Sequence, residues 1–439
     1  MTFYNNYNGK ALYTSPKPTS SAELPGGTDA HGNLYATQKR TEMQGGDGVN
    51  MHGLGGDSLY VLSQKDRVFE AANDGVNTIY AWQSIYLPKY ANVQNLTVYD
   101  TTNAYGSGLD GILRGGGSGM QQFFANGGDD VLIGGRGPDV FIIVKGKGNE
   151  VIQNFDPSKG DAVRLTAGFT SFSQVKSHLT QQGANVLLNL GSGDGLLFRN
   201  LTISQLGASN FELQLDKSKL GALTFDEEFS HGLSLYNSQY AKNGIWQPDF
   251  GADPQSKYDY NINDELEAYV SPYFRGADGS FPINPFSTSN GVLTIHAAHS
   301  NNPNLFGLHY TSGLITTEHS FSQTYGYYEI RAKPPQTAGA WSAFWLLPKN
   351  GGWPPEVDIM EDWGSQHDAS LTAWHSGPND NSATENQLVP RTADGFHRYG
   401  LLWTPKNLIW YIDGVEVWRQ ATPSDMHQPM YMLANLALT

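Results

Sequence analysis

The stretch Glu356-Val357-Asp358-Ile359-Met360-Glu361 puts three carboxylates and three apolar side chains into six residues, with Trp353 before it and Trp363 after it. Acids alternating with Val and Ile read as a β-strand, in which every second side chain faces the same way. Glu356 and Asp358 therefore share a face, whereas Glu361, five places on from Glu356, falls on the other. One extra residue at Ile359-Met360, a β-bulge, returns Glu361 to the face of the other two. All three acids then line one cleft, with Val357 and one apolar residue of the bulge packed behind them. A solvated edge strand could carry the same spacing, so the surrounding sequence has to decide. The chemical use of the arrangement is specific. Two carboxylates flanking a sugar–sugar bond are the working parts of glycoside hydrolysis, about 5–5.5 Å apart in the retaining form, one a nucleophile and one a general acid and base. The middle acid, Asp358, can hydrogen-bond Glu356 and hold the two pKa values apart.

Outward from this strand the chain is aromatic: nine of its ten tryptophans follow residue 222. Residues 326–333 (GYYEIRAK) and 408–417 (LIWYIDGVEV) alternate apolar with polar positions, and Asp413-Gly414 is a two-residue hairpin turn. Long helical periodicity is absent. An antiparallel β-sandwich over 223–439 follows, joined to what precedes it by a short linker at 214–222 (QLDKSKLGA).

The first half has a different period. Gly134-Gly135-Arg136-Gly137-Pro138-Asp139-Val140-Phe141-Ile142 fits G-G-x-G-x-D-x-U-x, where U is a large apolar residue. The nine residues before it keep Gly128, Asp130 and Leu132 in phase. A looser copy supplies Gly108, Asp110 and Ile112. Copies at 116–124 and 45–53 keep glycines but carry Gln121 and Asn50 in the acidic place. Glycines allow tight turns, Asp and turn carbonyls supply hard oxygens, and each x-U-x triplet makes a short strand with its apolar residue inward. Stacked copies form a parallel β-roll with calcium between turns, held by Asp110, Asp130 and Asp139 with Gly128 and Gly137 in the turns. Residues 1–44 are polar without clear period and read as a leader or cap.

The chain has 439 residues, 16% charged, 50 glycines and a formal net charge of −15. Low charge with abundant glycine and aromatic residues suits all-β architecture, and the acidic balance argues against nucleic acid or an anionic membrane as partner. No cysteine is present, which excludes disulfides and thiolate metal sites. A zinc protease is also excluded, because no HExxH occurs and His296 and His299 stand three apart with no glutamate between them.

The repeats resemble the RTX calcium-binding modules, with 149–165 like the segment that closes such rolls, 169–213 like their terminal cap and 68–100 like a spacer between two roll blocks. That resemblance implies structural calcium, type I export without an N-terminal signal, and an extracellular location. The second half resembles family 16 glycoside hydrolases, retaining endo-β-glycanases with a β-jelly-roll fold. EVDIME looks like their bulged acid strand. Residues 223–229 (LTFDEEF), 263–269 (NDELEAY), 325–334, 340–348 (AWSAFWLLP) and 429–438 (PMYMLANLAL) follow in the family's order. The resemblance implies Glu356 as nucleophile, Glu361 as acid and base, and Asp358 as auxiliary acid. It suggests Trp341, Trp345 and Trp374 as sugar-stacking residues, and Asn263 and Glu265 as substrate contacts. His375 would bind a sugar hydroxyl, assist near Glu361, or serve structure alone. The expected molecule is an all-β, monomeric, secreted enzyme: a parallel β-roll at 45–213, then a jelly roll at 223–439. It would act on a bacterial exopolysaccharide of succinoglycan type, with a β-1,3- or mixed-linkage glucan, or mere polysaccharide binding, as the alternatives. Because the family runs on past the NLAL segment whereas this sequence stops at Thr439, the resemblance also implies a sandwich truncated at its C-terminus.

Overall fold

The computed structural model describes residues 2–14, 28, 31–36, 42–46, 48–53, 56–63, 65–72, 75–250, 261, 265–274, 283–303, 305–365, 369–388 and 395–439. They fall into two compact units, Met1–Asp216 and Lys217–Thr439.

The first unit is a parallel β-solenoid. Strands Glu42–Gln44, Leu59–Leu62, Thr78–Ala81, Asn95–Val98, Ile112–Gly115, Val131–Ile133 and Glu150–Ile152 pair in parallel, each with the next, to form one wall. Ile85–Tyr86, Ala104–Tyr105, Gln121–Phe124, Asp139–Ile143 and Ala162–Leu165 form the other. One coil consumes about two nonapeptides, so the inward residue recurs in register. Ile79, Leu96, Leu113, Leu132 and Ile152 stand in one row, and Ala104, Phe123, Phe141 and Val163 in the facing one, all buried. Adjacent turns approach so closely that a Cβ on Gly148, at φ 138°, would sit 1.8 Å from the carbonyl oxygen of Gly128. Glycine is the residue that fits there.

Two expectations give way here. Residues 68–100 are no spacer: Arg67–Phe69, Thr78–Ala81, Ile85–Tyr86 and Asn95–Val98 are rungs of the same solenoid. The winding also begins before residue 45, since Asn33–Tyr35 pairs in parallel with Asn50–His52, and Leu34 and Met43 are core residues. These rungs lack the glycine–aspartate signature but keep the spacing of inward apolar residues, and that spacing is what the stack requires. Thr2–Asn5 and Ala11–Thr14 form a hairpin whose Leu12 packs on Ile112, Val131, Ile133 and Val151. The far end is closed by helix Phe172–Ser177 and the antiparallel strands Leu179–Gln182, Asn185–Gly191 and Asp194–Phe198.

The second unit is a two-layer antiparallel sandwich. Its six-stranded sheet runs in the order Leu314–Thr316, Met430–Leu438, Ala340–Pro348, Glu356–Trp363, Ala369–Ser376, Asn381–Leu388. Its four-stranded sheet runs Gly326–Ala332, His397–Trp403, Asn407–Ile412, Val415–Ala421. Asp413 and Gly414, at φ 50° and 77°, make the two-residue hairpin turn. Phe344, Leu346, Val357, Ile359 and Met360 from the first sheet meet Tyr328, Tyr399, Leu401, Trp403 and Trp410 from the second in one buried core. Met430–Leu438 is hydrogen-bonded on both sides, to Leu314–Thr316 and to Ala340–Pro348. The opposite face of the six-stranded sheet carries the acids.

Candidate active site

The acid strand is bulged where its sequence requires. Trp345 pairs with Asp358 and Phe344 with Met360, leaving Ile359 as the extra residue, and the register to the next strand shifts between Asp358 and Glu361. Ile359 and Met360 both turn into the core, at 1% and 2% exposure, so both pack behind the acids. The bulge frees main-chain groups, and one is recovered from the other sheet: the Trp410 indole N–H donates to the Asp358 carbonyl at 2.8 Å. Glu356, Asp358 and Glu361 then share the cleft face with Trp341 and Trp363, whose rings stack at 4.6 Å.

Each acid has a distinct environment. The Trp353 indole donates to Glu356 Oε2 at 2.5 Å, and Trp341 donates to Glu361 Oε1 at 2.9 Å. Asp358 is buried between them, and one donor atom from each of Glu356, Asp358 and His375 lies within 4.8 Å of the others. Burial, then the charges of Glu356 and Glu361 and a hydrogen bond with Glu356, hold the Asp358 carboxyl well above the usual range. Glu361 is pushed up to about 7, chiefly by burial, against the opposing effects of the Trp341 hydrogen bond and His375. The face therefore combines a carboxylic acid able to give up a proton near neutrality at Glu361 with a buried Asp358 that resists ionisation beside Glu356.

His375 pairs across the sheet with Glu356. Its Nδ1 lies 2.9 Å from Asp380 Oδ1 and its Nε2 3.8 Å from Asp358 Oδ2. Trp374, its neighbour in the strand, must face the other way; it pairs with Val357 and packs on the core. It is therefore not a sugar-stacking residue. Trp345 lies on the cleft face but is only 8% exposed, packed with Phe250, Tyr431 and Leu433. Its N–H donates to Asn435 Oδ1, Asn435 donates to Tyr269 OH, and Tyr269 to Glu265 Oε1. Trp345 and the buried Glu265 thus belong to an internal network under the cleft, with little ring face left for stacking. Asn263 lies outside the described residues. Trp353, Asp380, Asn435 and Tyr269 carry no spacing that marks them in sequence.

In the solenoid, side chains cap the neighbouring rung. Asp130 Oδ1 accepts from Gly111 N at 2.7 Å and Asp139 Oδ2 from Gly135 N at 2.7 Å, while Asp130 Oδ2 and Asp139 Oδ1 are buried without a hydrogen-bond partner. Burial and the charge of Asp161 push Asp139 up to about 7, and burial raises Glu150, next to Asp130, to about 8. Gly128 adopts φ 88°, and a Cβ on Gly137 would meet the Ser118 carbonyl at 2.4 Å, so both glycines serve close stacking of turns. Asp110 differs from the other two acids: Lys10 and the Asp129 amide occupy its oxygens. The orphaned oxygens of Asp130 and Asp139 suit a hard divalent cation.

A sandwich whose cleft face carries acids on a bulged strand, one held as a neutral acid, defines a carboxylate-dependent glycoside hydrolase. Residues 282–437 match the family model for glycosyl hydrolases family 16. The chain is 41% identical to the endo-1,3-1,4-beta-glycanase ExsH of Rhizobium meliloti (strain 1021), over 99% of this chain and 92% of that protein. It is 40% identical to the endo-1,3-1,4-beta-glycanase EglC of the same organism, over 92% and 86%. The laminarinase catalytic domain of Thermotoga maritima MSB8 superposes with a TM-score of 0.37 at 27% identity, covering 44% of this chain and 80% of that one. The chain belongs to glycosyl hydrolase family 16.

Proposed function

We propose that this glycoside hydrolase is a secreted endo-β-glycanase that cuts internal β-bonds of an extracellular polysaccharide with retention of configuration. The observation that carries the mechanism is the contrast between Glu361, poised near 7 with Trp341 on one oxygen, and Glu356, which faces the same cleft with Trp353 on one oxygen. Glu356 attacks the anomeric carbon with its other oxygen while Glu361 gives its proton to the departing glycosidic oxygen. The C–O bond breaks and a glycosyl ester forms on Glu356. Glu361, now a carboxylate, takes a proton from water, whose oxygen attacks the same carbon and releases Glu356. Asp358 holds Glu356 by a shared hydrogen bond throughout. Trp341 and Trp363 offer the aromatic wall against which sugar rings stack.

The substrate reading rests on the two rhizobial relatives, both described as endo-1,3-1,4-beta-glycanases and both aligned along most of their length. A succinoglycan-type exopolysaccharide is the first choice, ahead of β-1,3- and mixed-linkage glucans. Calcium bound at Asp130 and Asp139 would hold the solenoid turns together, and we assign it a structural part only. Type I export and a monomeric state complete the reading.

Reducing-end release from a panel of β-glucans and bacterial exopolysaccharides, with calcium present, tests the activity in wild type and Glu356→Gln. Cleavage of one polymer that disappears in the variant names the substrate. A wild type that binds a polymer and never cuts it would make this a polysaccharide-binding protein instead. Proton NMR of the first-formed product tests retention, since an inverting enzyme would release the opposite anomer.

A further inference from the structure

We propose that Asp380 is a positioning residue of this active site, acting on the acid strand through His375. The inference rests on the glycanase reading above.

The geometry is a chain of contacts that starts outside the cleft. Asp425 accepts from Ser376 Oγ and from Gly377 N, both at 2.7 Å, and so pins the turn that follows the His375 strand. Asp380 closes that turn at φ 47°, its own N–H donating to the Gly377 carbonyl at 3.2 Å. This left-handed backbone, uncommon for a residue with a Cβ, aims the carboxylate back at His375 Nδ1, 2.9 Å away. A carboxylate on Nδ1 fixes the proton there and directs Nε2 at whatever lies opposite. Opposite lies Asp358 Oδ2 at 3.8 Å. The imidazole also lies 5.6 Å from the Trp353 ring, tilted by 43°, and that indole donates to Glu356. One ring therefore faces one acid, Asp358, and the indole that supports a second, Glu356.

Among the described residues, the ionisable groups around His375 are Glu356, Asp358 and Glu361 from the acid strand and Asp380 from the turn. The residue paired with it on the far side is the uncharged Ser382. The Asp380 carboxylate holds the ring in one orientation against the flank of the three acids. So placed, His375 favours the carboxylate of Glu361. The consequence belongs to the second half of the reaction: once Glu361 has given its proton away, it must persist as a base long enough to take one from water. Without Asp380 the imidazole would turn on its stem and leave Glu361 holding its proton to higher pH.

The test is a cycle of Asp380→Asn, Asp380→Ala, His375→Ala and the Asp380→Ala/His375→Ala double variant, read by kcat, KM and the pH profile on the polymer that wild type cuts. Asp380→Ala should lower kcat by roughly 10- to 100-fold with KM little changed. Asp380→Ala should move the alkaline limb of the profile to higher pH. Asp380→Asn, which can still accept from Nδ1, should keep more of kcat than the alanine variant. Adding Asp380→Ala to His375→Ala should cost nothing further. Losses that add in the double variant, or a kcat and pH profile in Asp380→Ala equal to wild type, would overturn the proposal. Nitrogen NMR of the His375 ring reads the same pair without turnover: in Asp380→Ala the preference for the proton on Nδ1 should be lost. An unchanged ring tautomer overturns the positioning role, whereas a wild type that cuts no polymer overturns only the glycanase reading.

Discussion

At the scale of single residues, the site works by giving similar side chains dissimilar surroundings. In the proposed mechanism Glu361 must be protonated to act as an acid, and its carboxyl is pushed up to about 7. The rate constant kcat/KM should therefore fall on the alkaline side from about 7 upward, a limb that vanishes with nearly all activity in Glu361→Gln; turnover across pH 5–9 checks both. A second buried acid lies outside the mechanism. Glu267 is fully buried, accepts from Leu438 N at 2.8 Å, and is pushed up to about 7 by burial and by Glu265. Its folded pKa exceeds the unfolded one, so below about pH 4 it costs nothing. As pH rises towards 7 the unfolded chain ionises and the folded one does not, and stability is lost. Glu267→Gln should thus stabilise the sandwich at pH 8 by on the order of 2–3 kcal/mol and leave it unchanged near pH 4, as denaturant unfolding at the two pH values would show. Residue roles were partly legible in advance. The three acids announce themselves by spacing, whereas Asp380 and Asn435 reach the site through turns and strand order that no local pattern encodes. Trp374 was legible and misread: it adjoins His375 in a strand, and neighbours in a strand cannot both face one cleft.

At the scale of the element, one inserted residue decides whether the acid strand is catalytic. Inserting one more residue after Met360 would turn Glu361 into the core and carry Asp362 to the cleft, whereas removing Ile359 would leave Glu361 four places from Glu356 and still on the cleft face. That insertion should abolish hydrolysis while circular dichroism still reports a β-sandwich, though a less stable one. The same sheet offers a comparison of its two faces. Trp374→Ala opens a hole against Val357 and should cost about 3 kcal/mol in denaturant unfolding. Trp341→Ala, on the cleft face, should leave stability within about 1 kcal/mol; its effect should appear in KM and in a raised pKa for Glu361, which loses a hydrogen bond. The bulge could be read from the sequence because acids two and then three apart fit one face in no other way. The rungs between residues 67 and 98 could not be read from glycine and aspartate, because what stacks them is a recurring inward apolar residue, and Ile79 and Leu96 supply it without any turn signature.

At the scale of the whole molecule, two units with separate cores should unfold in separate steps. In the solenoid, Asp139 at about 7 and Glu150 at about 8 resist ionising when folded. With chelator present, its transition should therefore move to lower temperature as pH rises from about 4 to 8. Calcium should raise that transition and flatten its pH dependence, leaving the sandwich transition in place; calorimetry with and without the ion checks this. Division into a roll and a sandwich was legible because the two halves differ in period, two residues against nine, and in tryptophan content. The stacking of the solenoid also bears on how such a chain can change. Each coil touches only the coils above and below it, and the row Ile79, Leu96, Leu113, Leu132 repeats the same fit at every step. Duplication or loss of one coil's worth of codons would therefore lengthen or shorten the solenoid by one step and leave the fit between coils as it is. The length of the solenoid is thus open to selection by a tandem-repeat event in the gene.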